Sequence, residues 1–407
     1  MRRHFPGWLV LLGVLTAIGP LSIDMYLPAF VSIAGELGSS RGAIERTLPI
    51  FLAGLTVAQL VYGPLSDRFG RRPPLLAGLS IYLVGTVGCA LSADIDQLTA
   101  WRLVQALGGG VGVVIARAVI RDRLDPRGSA HALSTLMLVM GAAPVLAPML
   151  GGWMLVVASW RVIFWFQAAF ASVCMLAAAI SLKETRDPVH VRPLNMRGVA
   201  RTYAELLRDR RLLHPVLAGA FGMGGMFAYI AGSPFVLMGV YGFSEQQYAM
   251  VFGLNAFGLI AASQLNGWWL RTLCPNEVLA RSFWIPPAAG LALLAIGLTG
   301  SAPLPLLLAA LFAYVASLGL ILPNTGAMAL ADQGRTAGAA SALLGAAAFA
   351  VGMVAGLAVS FGDGHSALPL TAIMCASGLL SGAFCLLLLS RRTPHVEPES
   401  VAMEPPA

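Results

Sequence analysis

The sequence predicts an all-α membrane protein in which twelve transmembrane helices form two six-helix halves, with the N- and C-termini both cytoplasmic. Three observations carry this. Of 407 residues, 57% are hydrophobic and 11% charged, whereas a soluble domain carries about 25% charged residues. Apolar windows of roughly 20 residues, the length that crosses a hydrocarbon core of about 30 Å, recur along the chain. The cations follow alternate loops, as the positive-inside rule requires.

The windows fall at approximately 8–34, 43–65, 74–92, 98–120, 130–157, 160–182, 214–240, 247–270, 281–300, 304–328, 338–361 and 366–390, give or take a few residues. With a cytoplasmic N-terminus, 21 of the 26 Lys and Arg lie on that side, from Arg2 and Arg3 to Arg391 and Arg392. Arg41, Arg46 and Arg161 lie outside, and Arg102 and Arg117 fall within the fourth window. The net charge of +7 therefore reflects topology, and no nucleic-acid partner is expected. The first window follows Arg2 and Arg3 without a small-residue cleavage site after a short core, so it reads as a retained span rather than a removed signal peptide.

Span 1 holds the chain's most costly residue. Asp24 sits deep in the apolar run from Trp8 to about Ala34, and an acid near the centre of a span costs about 2.5–3.5 kcal/mol on insertion scales. No other acid in the sequence reads as so deep. Such a group is a candidate proton carrier or substrate contact; the plainer alternative is a hydrogen bond between packed helices.

Between spans 2 and 3 stands GPLSDRFGRRP. Its Gly63, Asp67, Arg68, Gly70, Arg71 and Arg72 resemble the signature loop of the major facilitator superfamily. A short turn needs glycine to reverse, and charges beside it can pair with neighbouring helix ends and hold the cytoplasmic side shut. In span 4, RLVQALGGG is similar to the superfamily's proton-linked motif through Arg102, Gln105 and Gly108, with Ala106 where glycine is usual. At a rise of about 1.5 Å per residue, Arg102 and Asp24 lie several ångströms apart in depth, within reach of an ion pair; the alternative for Arg102 is snorkelling to the outer interface. Gly108 and Gly112 read as a close helix contact. In span 5, GAAPVLAPMLGGW resembles the antiporter motif of the drug-exporting branch, carried by Pro144, Pro148, Gly151 and Gly152. Ala143 and Ala147 stand where that motif prefers glycine, and the two prolines share a face and should bend the helix.

With SIDMYLPA in span 1, SWRVIFW at Ser159 to Trp165 and KETRDP at Lys183 to Pro188, the narrower resemblance is to the Bcr/CflA group of drug exporters. It covers nearly all twelve spans. The resemblance implies the major facilitator fold and a multi-pass protein of the bacterial inner membrane. It also implies export of bicyclomycin- or chloramphenicol-like drugs in exchange for protons, with no cofactor beyond the coupling proton. A monomer is expected, with the bilayer and a small-molecule drug as its partners. Asp24 and Arg102 are the expected proton-coupling pair, and the pocket is expected to draw on Asp24, Tyr26, Gln59, Arg102, Met223, Met226, Phe227 and Asn255.

The polar segment 183–213 separates an N-terminal half, 1–182, from a C-terminal half, 214–390, and 391–407 reads as a disordered cytoplasmic tail rich in Pro and Glu. Within the linker, Val199, Tyr203, Leu206 and Leu207 share one helical face, which suits a helix on the inner leaflet; a solvated linker is the alternative. Setting Pro234 of IAGSPFV against Pro28 of IDMYLP places Ile230 opposite Asp24, so the second half lacks the acid. Its Met223, Met226, Phe227, Tyr229, Asn255 and Asn324 offer adaptable apolar surface with few polar groups. The cysteines at 89, 174, 375 and 385 lie in spans and Cys274 in a loop, where packing is favoured over disulfides. The histidines show no metal-ligand spacing. A metabolite transporter would share this fold, and a membrane-embedded enzyme would need a clustered catalytic set that the sequence does not display.

Overall fold

A computed structural model describes residues 7–124, 126–186, 196–299, 304–362 and 366–390. Eleven helices among these are long and apolar enough to cross a membrane. We number the spans in chain order: α1 Gly7–Glu36, α2 Arg41–Phe69, α3 Arg72–Ala90, α4 Ile95–Arg123, α5 Pro126–Val157 and α6 Arg161–Ser181. The second half comprises α7 Arg210–Val240, α8 Glu245–Trp269, α9 Pro275–Thr299, α10 Leu304–Leu330, α11 Ala337–Ser360 and α12 Leu368–Leu389. The described apolar part of α5 is Ala143–Val157, which completes the twelve expected spans. We call the end of the bundle that carries Gly70 the loop end and the opposite end, at Glu36 and Arg161, the far end.

The spans are apolar all round because both lipid and neighbouring helices want apolar surface. Lipid-facing positions such as Val84, Val173, Ile180, Met250, Leu298 and Val354 are exposed. Exposed Trp153 and Trp165 near the far end and Trp268 and Trp284 near the loop end suit the two interfacial belts of a bilayer. Inside each half, backbones approach closely at small residues. A side chain at Gly108 would strike the backbone of α3, and one at Gly112 that of Leu15 in α1, so the two glycines bring α4 against two different helices.

The halves meet along α2 with α11 and α5 with α8. At the far end, Phe30 and Phe235 lie 6.3 Å apart between ring centroids, and the Arg41 guanidinium sits 5.1 Å over the Phe235 ring. At the loop end, Arg117 Nη1 donates to Ser341 Oγ at 3.2 Å.

Two expectations change. The signature segment is mostly helix, because α2 runs to Phe69 and α3 starts at Arg72, so Gly63, Asp67 and Arg68 ride the last turns of α2 and only Gly70 and Arg71 form the turn. An i, i+4 pair, Asp67 with Arg71, spans the helix end and favours this extension. The linker helix forms over Met196–Leu206, but Leu206 and Tyr203 join an apolar cluster with Leu212, Val216, Ala340 and Leu343 of the second half. Protein surface, not the leaflet, takes that face, and Leu207 points away from it, exposed.

Candidate functional site

The site is built on an interruption of α1. Regular helix stops at Asp24, and Leu27–Ala29 forms a single 3₁₀ turn before helix resumes at Phe30. Pro28 is the cause, because it has no N–H to give to the carbonyl four residues earlier, which is that of Asp24. The second half carries an irregularity at the matching place: Pro234 ends the regular part of α7, and Phe235–Val240 is wound as a π-helix. Irregular backbone at corresponding positions of two repeats is a common signature of transport sites.

Asp24 is 3% exposed, and its Oδ1 has no hydrogen-bond partner among the described residues. Its carboxyl lies within electrostatic range of the Tyr229 and Tyr248 phenols, on α7 and α8 of the opposite half. Those phenols belong to a small polar array. Asn255 Nδ2 donates to Tyr229 Oη at 2.8 Å, Ser233 and Tyr248 hydroxyls are 3.3 Å apart, and Tyr229 stacks on Phe252 at 5.5 Å.

Arg102 is fully buried and points inward rather than snorkelling. Its guanidinium carbon lies 4.3 Å over the Tyr26 ring and 4.0 Å over the Phe51 ring, a desolvated cation–π sandwich. Nη1 donates to Gln105 Oε1 at 2.5 Å, while Nε and Nη2 have no hydrogen-bond partner among the described residues. No ion pair joins Arg102 to Asp24; the ring of Tyr26, two residues beyond the acid, takes the cation instead, with its hydroxyl on Thr47 at 2.6 Å. The Gln105 amide continues the chain, donating to Thr86 Oγ1 at 2.9 Å and Gln167 Oε1 at 3.0 Å. Gln167 in turn donates to the Leu21 carbonyl at 3.2 Å, so a buried network runs from Arg102 back to the last regular turn before the break.

The antiporter-like motif of α5 touches the same break. A side chain at Gly151 would overlap the Met25 carbonyl, whereas one at Gly152 would make ordinary contact with Ala249 and the Glu245 carbonyl of α8. Pro148 is buried and Pro144 half-buried on that helix. Of the remaining pocket candidates, Gln59 is buried against Gly345 of α11, and Met223 and Met226 are half-buried beside the apolar cluster that contains Tyr26 and Tyr229. Phe227 packs into α11 against Gly352 and Phe349, which suits helix packing better than ligand contact.

Asp24 is not the sole buried acid. Glu45 is 1% exposed, near the far end of α2, with its Oε1 on Arg41 Nε at 2.8 Å. Its neutralising cation one helical turn away explains why depth from the sequence misjudged it.

At the loop end, Arg71 gathers three elements. It donates to Asp67 at 2.6 Å and Ser66 at 2.9 Å on α2, and through Nε at 2.7 Å and Nη2 at 3.2 Å to both oxygens of Asp122 on α4. Burial works against this cation, but bonds and charge from Asp122 and Asp67 outweigh it and push its pKa up. Glu184, just beyond α6, accepts backbone N–H bonds from Arg71 at 2.8 Å and Arg72 at 3.2 Å and so caps α3. Partial burial would raise its carboxyl pKa, yet the N–H groups of Arg71, Arg186, Arg72 and Thr185 hold it below the usual value. Arg186 adds a bond to the Arg68 carbonyl, and Arg72 reaches the Ala179 carbonyl at 2.5 Å. Arg68 itself is exposed.

Sequence reasoning missed Gln167, Thr86, Ser233, Tyr248 and Asp122. Gln167 could have been found as a lone amide in an apolar span. The hydroxyls could not, because Ser, Thr and Tyr are ordinary in spans and Ser and Thr mostly bond their own backbone.

The Major Facilitator Superfamily profile matches residues 12–357. An uncharacterized transporter of that type from Bacillus subtilis is 35% identical over 91% of this chain and 92% of its own. A bicyclomycin resistance protein homolog of Haemophilus influenzae is 30% identical over 94% and 96%, and a multidrug resistance protein of Escherichia coli 31% identical over 69% and 70%. Among solved structures, a peptide-bound transporter of the POT family superposes with a TM-score of 0.72 at 14% identity, covering 96% of each chain. A D-xylose–proton symporter gives 0.67 at 14% identity, over 94% of this chain and 95% of its own.

Proposed function

The chain belongs to the major facilitator superfamily, among the relatives of its Bcr/CflA drug-exporting branch, and from that premise we propose that it exports small amphiphilic drugs, bicyclomycin- or chloramphenicol-like, in exchange for protons. It is a multi-pass membrane transporter and not an enzyme. In this reading the loop end and both termini are cytoplasmic, the membrane is the bacterial inner membrane, and the halves 1–182 and 214–390 rock about the broken turns of α1 and α7.

The observation that carries the reading is Asp24, a buried carboxyl with an unbonded oxygen at a helix break, within electrostatic range of Tyr229 on the other half. A charge there without a partner is costly, so the group either takes a proton or meets a ligand. Asp24 holds the proton on the inward journey and yields it as drug enters between the halves. Arg102, held by Gln105, is the cation that a charged Asp24 can turn to once Tyr26 moves. Tyr26, Gln59, Met223, Met226 and Asn255 supply the ligand surface, with no resident metal or cofactor. Each proton moving inward contributes about 2.3 kcal/mol per 100 mV, roughly a fiftyfold concentration ratio for a neutral drug.

The test is Asp24→Asn in proteoliposomes. Asn keeps the size and resembles a permanently protonated acid. Folded variant should bind drug without releasing a proton and should exchange it down a gradient, while uphill export stops. Proton-coupled export at the parental rate would remove Asp24 from the mechanism. Loss of drug movement in both directions, with binding retained, would make it a structural residue instead.

A further inference from the structure

A groove among the described residues lies outside the space between the halves. Of about 570 Å³, it opens at the loop end of α1, α4 and α6, all in the first half. Its wall toward the membrane is apolar, made by Trp8, Val10 and Leu11, with Val10 55% exposed. Its rim carries two cations, Arg123 and Lys183, with the Ser181 hydroxyl beside them.

Neither cation has a carboxylate partner among the described residues. The acids adjacent in sequence are committed elsewhere: Asp122 is gripped by Arg71 through both oxygens, and Glu184 caps the start of α3. The Arg123 guanidinium lies 5.1 Å over the Trp8 ring, which fixes its planar fork at the groove mouth.

We propose that this groove is a binding site for an anionic phospholipid of the bilayer, with its phosphate on Arg123 and Lys183 and an acyl chain along Val10 and Leu11. A guanidinium fork matches two phosphate oxygens, and the mobile ammonium of lysine adds a point charge. Charge complementarity and depth select this occupant together. A soluble anion would use the rim but not the apolar wall, and a zwitterionic lipid would bring its own cation against two others. Basic pockets between spans, on the side where positive loops gather, are where anionic headgroups bind.

The measurement is thermal unfolding of the purified full chain in detergent, with lipid counted by native mass spectrometry, under added cardiolipin, phosphatidylglycerol, phosphatidylcholine or inorganic phosphate. Cardiolipin and phosphatidylglycerol should stabilise the protein and remain bound; phosphatidylcholine and phosphate should not. Arg123→Gln with Lys183→Gln should weaken binding of the anionic lipids roughly twenty-five-fold, at about fivefold for each cation. Arg123→Lys with Lys183→Arg keeps both charges and should retain most of the binding, which separates charge recognition from a folding defect. Arg208→Gln with Arg211→Gln removes two exposed cations elsewhere and should change nothing. Undiminished cardiolipin binding by the double Gln variant would overturn the proposal. So would equal loss in the Arg208 and Arg211 control, which would mean diffuse attraction, or equal stabilisation by inorganic phosphate, which would mean a free-anion site.

Discussion

Gly70→Ala isolates what the signature turn needs from its glycine. Gly70 has φ +90° and ψ 174°, a region open essentially to glycine alone and costing other residues about 1–3 kcal/mol. The new methyl would also overlap the Glu184 carboxylate. Moving that carboxylate strips the cap from α3, and a lost cap costs about 0.5–2 kcal/mol. Together about 2–5 kcal/mol of local stability should go, seen as a lower unfolding temperature in detergent and faster proteolysis at the α2–α3 turn. Gly63 is the internal control. It matches the same signature, but it lies within α2 and nothing lies within 4 Å of where its side chain would stand. Gly63→Ala should therefore be neutral or improve the helix by up to about 1 kcal/mol. Glu184→Ala in the Gly70→Ala background should cost less than it does alone, because the cap is already lost. Equal stability of the two glycine variants would refute the backbone argument, and strictly additive Glu184 and Gly70 effects would refute the steric one.

Two further outcomes follow from the same geometry. Asp67→Ala should slow export and leave equilibrium drug binding nearly intact, because Arg71 keeps its two hydrogen bonds to Asp122 and the helix end is far from Asp24; binding isotherms on folded protein check this. Gly151→Ala should lower both unfolding temperature and export, since its methyl meets the Met25 carbonyl, while Gly152→Ala, with its nearest neighbours at 3.6 and 3.7 Å, should behave as the parent in both assays.

The spans were legible because hydrocarbon forces one composition on every membrane-facing turn, and window ends agree with helix ends to within a few residues except where charges ride a helix out of the bilayer, as at Asp67 and Arg68. Asp24 was legible because an acid in that setting is rare. Its surroundings were not. The ion pair that the spacing put within reach of Arg102 is absent for reasons of rotamer and packing, since aromatic faces at Tyr26 and Phe51 compete for the guanidinium and no sequence spacing encodes that choice. The place of Phe227 was illegible for a related reason: an aromatic in a Gly-rich span fits a pocket and a neighbouring helix equally well, and here it packs on Gly352, more than a hundred residues away in the chain. The Tyr229–Asn255 pair spans two helices, so its members only acquire meaning together.

The placement of Gly151 against Met25 bears on how a proton could be felt as motion. Asp24 ends a rigid helix, and the residue after it touches α5 with no side chain between them. The next residue of α5, Gly152, faces α8 of the other half. A change of charge at Asp24 alters what its carboxyl asks of Tyr229 and Tyr248 across the same interface. In the proposed cycle, the break in α1 and the α5–α8 contact receive the signal on both sides of one carboxyl, with only backbone and two glycines as the linkage. Close-packed backbone has few intermediate positions, so a shift there is a step between two packings rather than a graded slide. That property is what an exchanger needs, because a half-moved state open to both sides would leak the gradient that drives it.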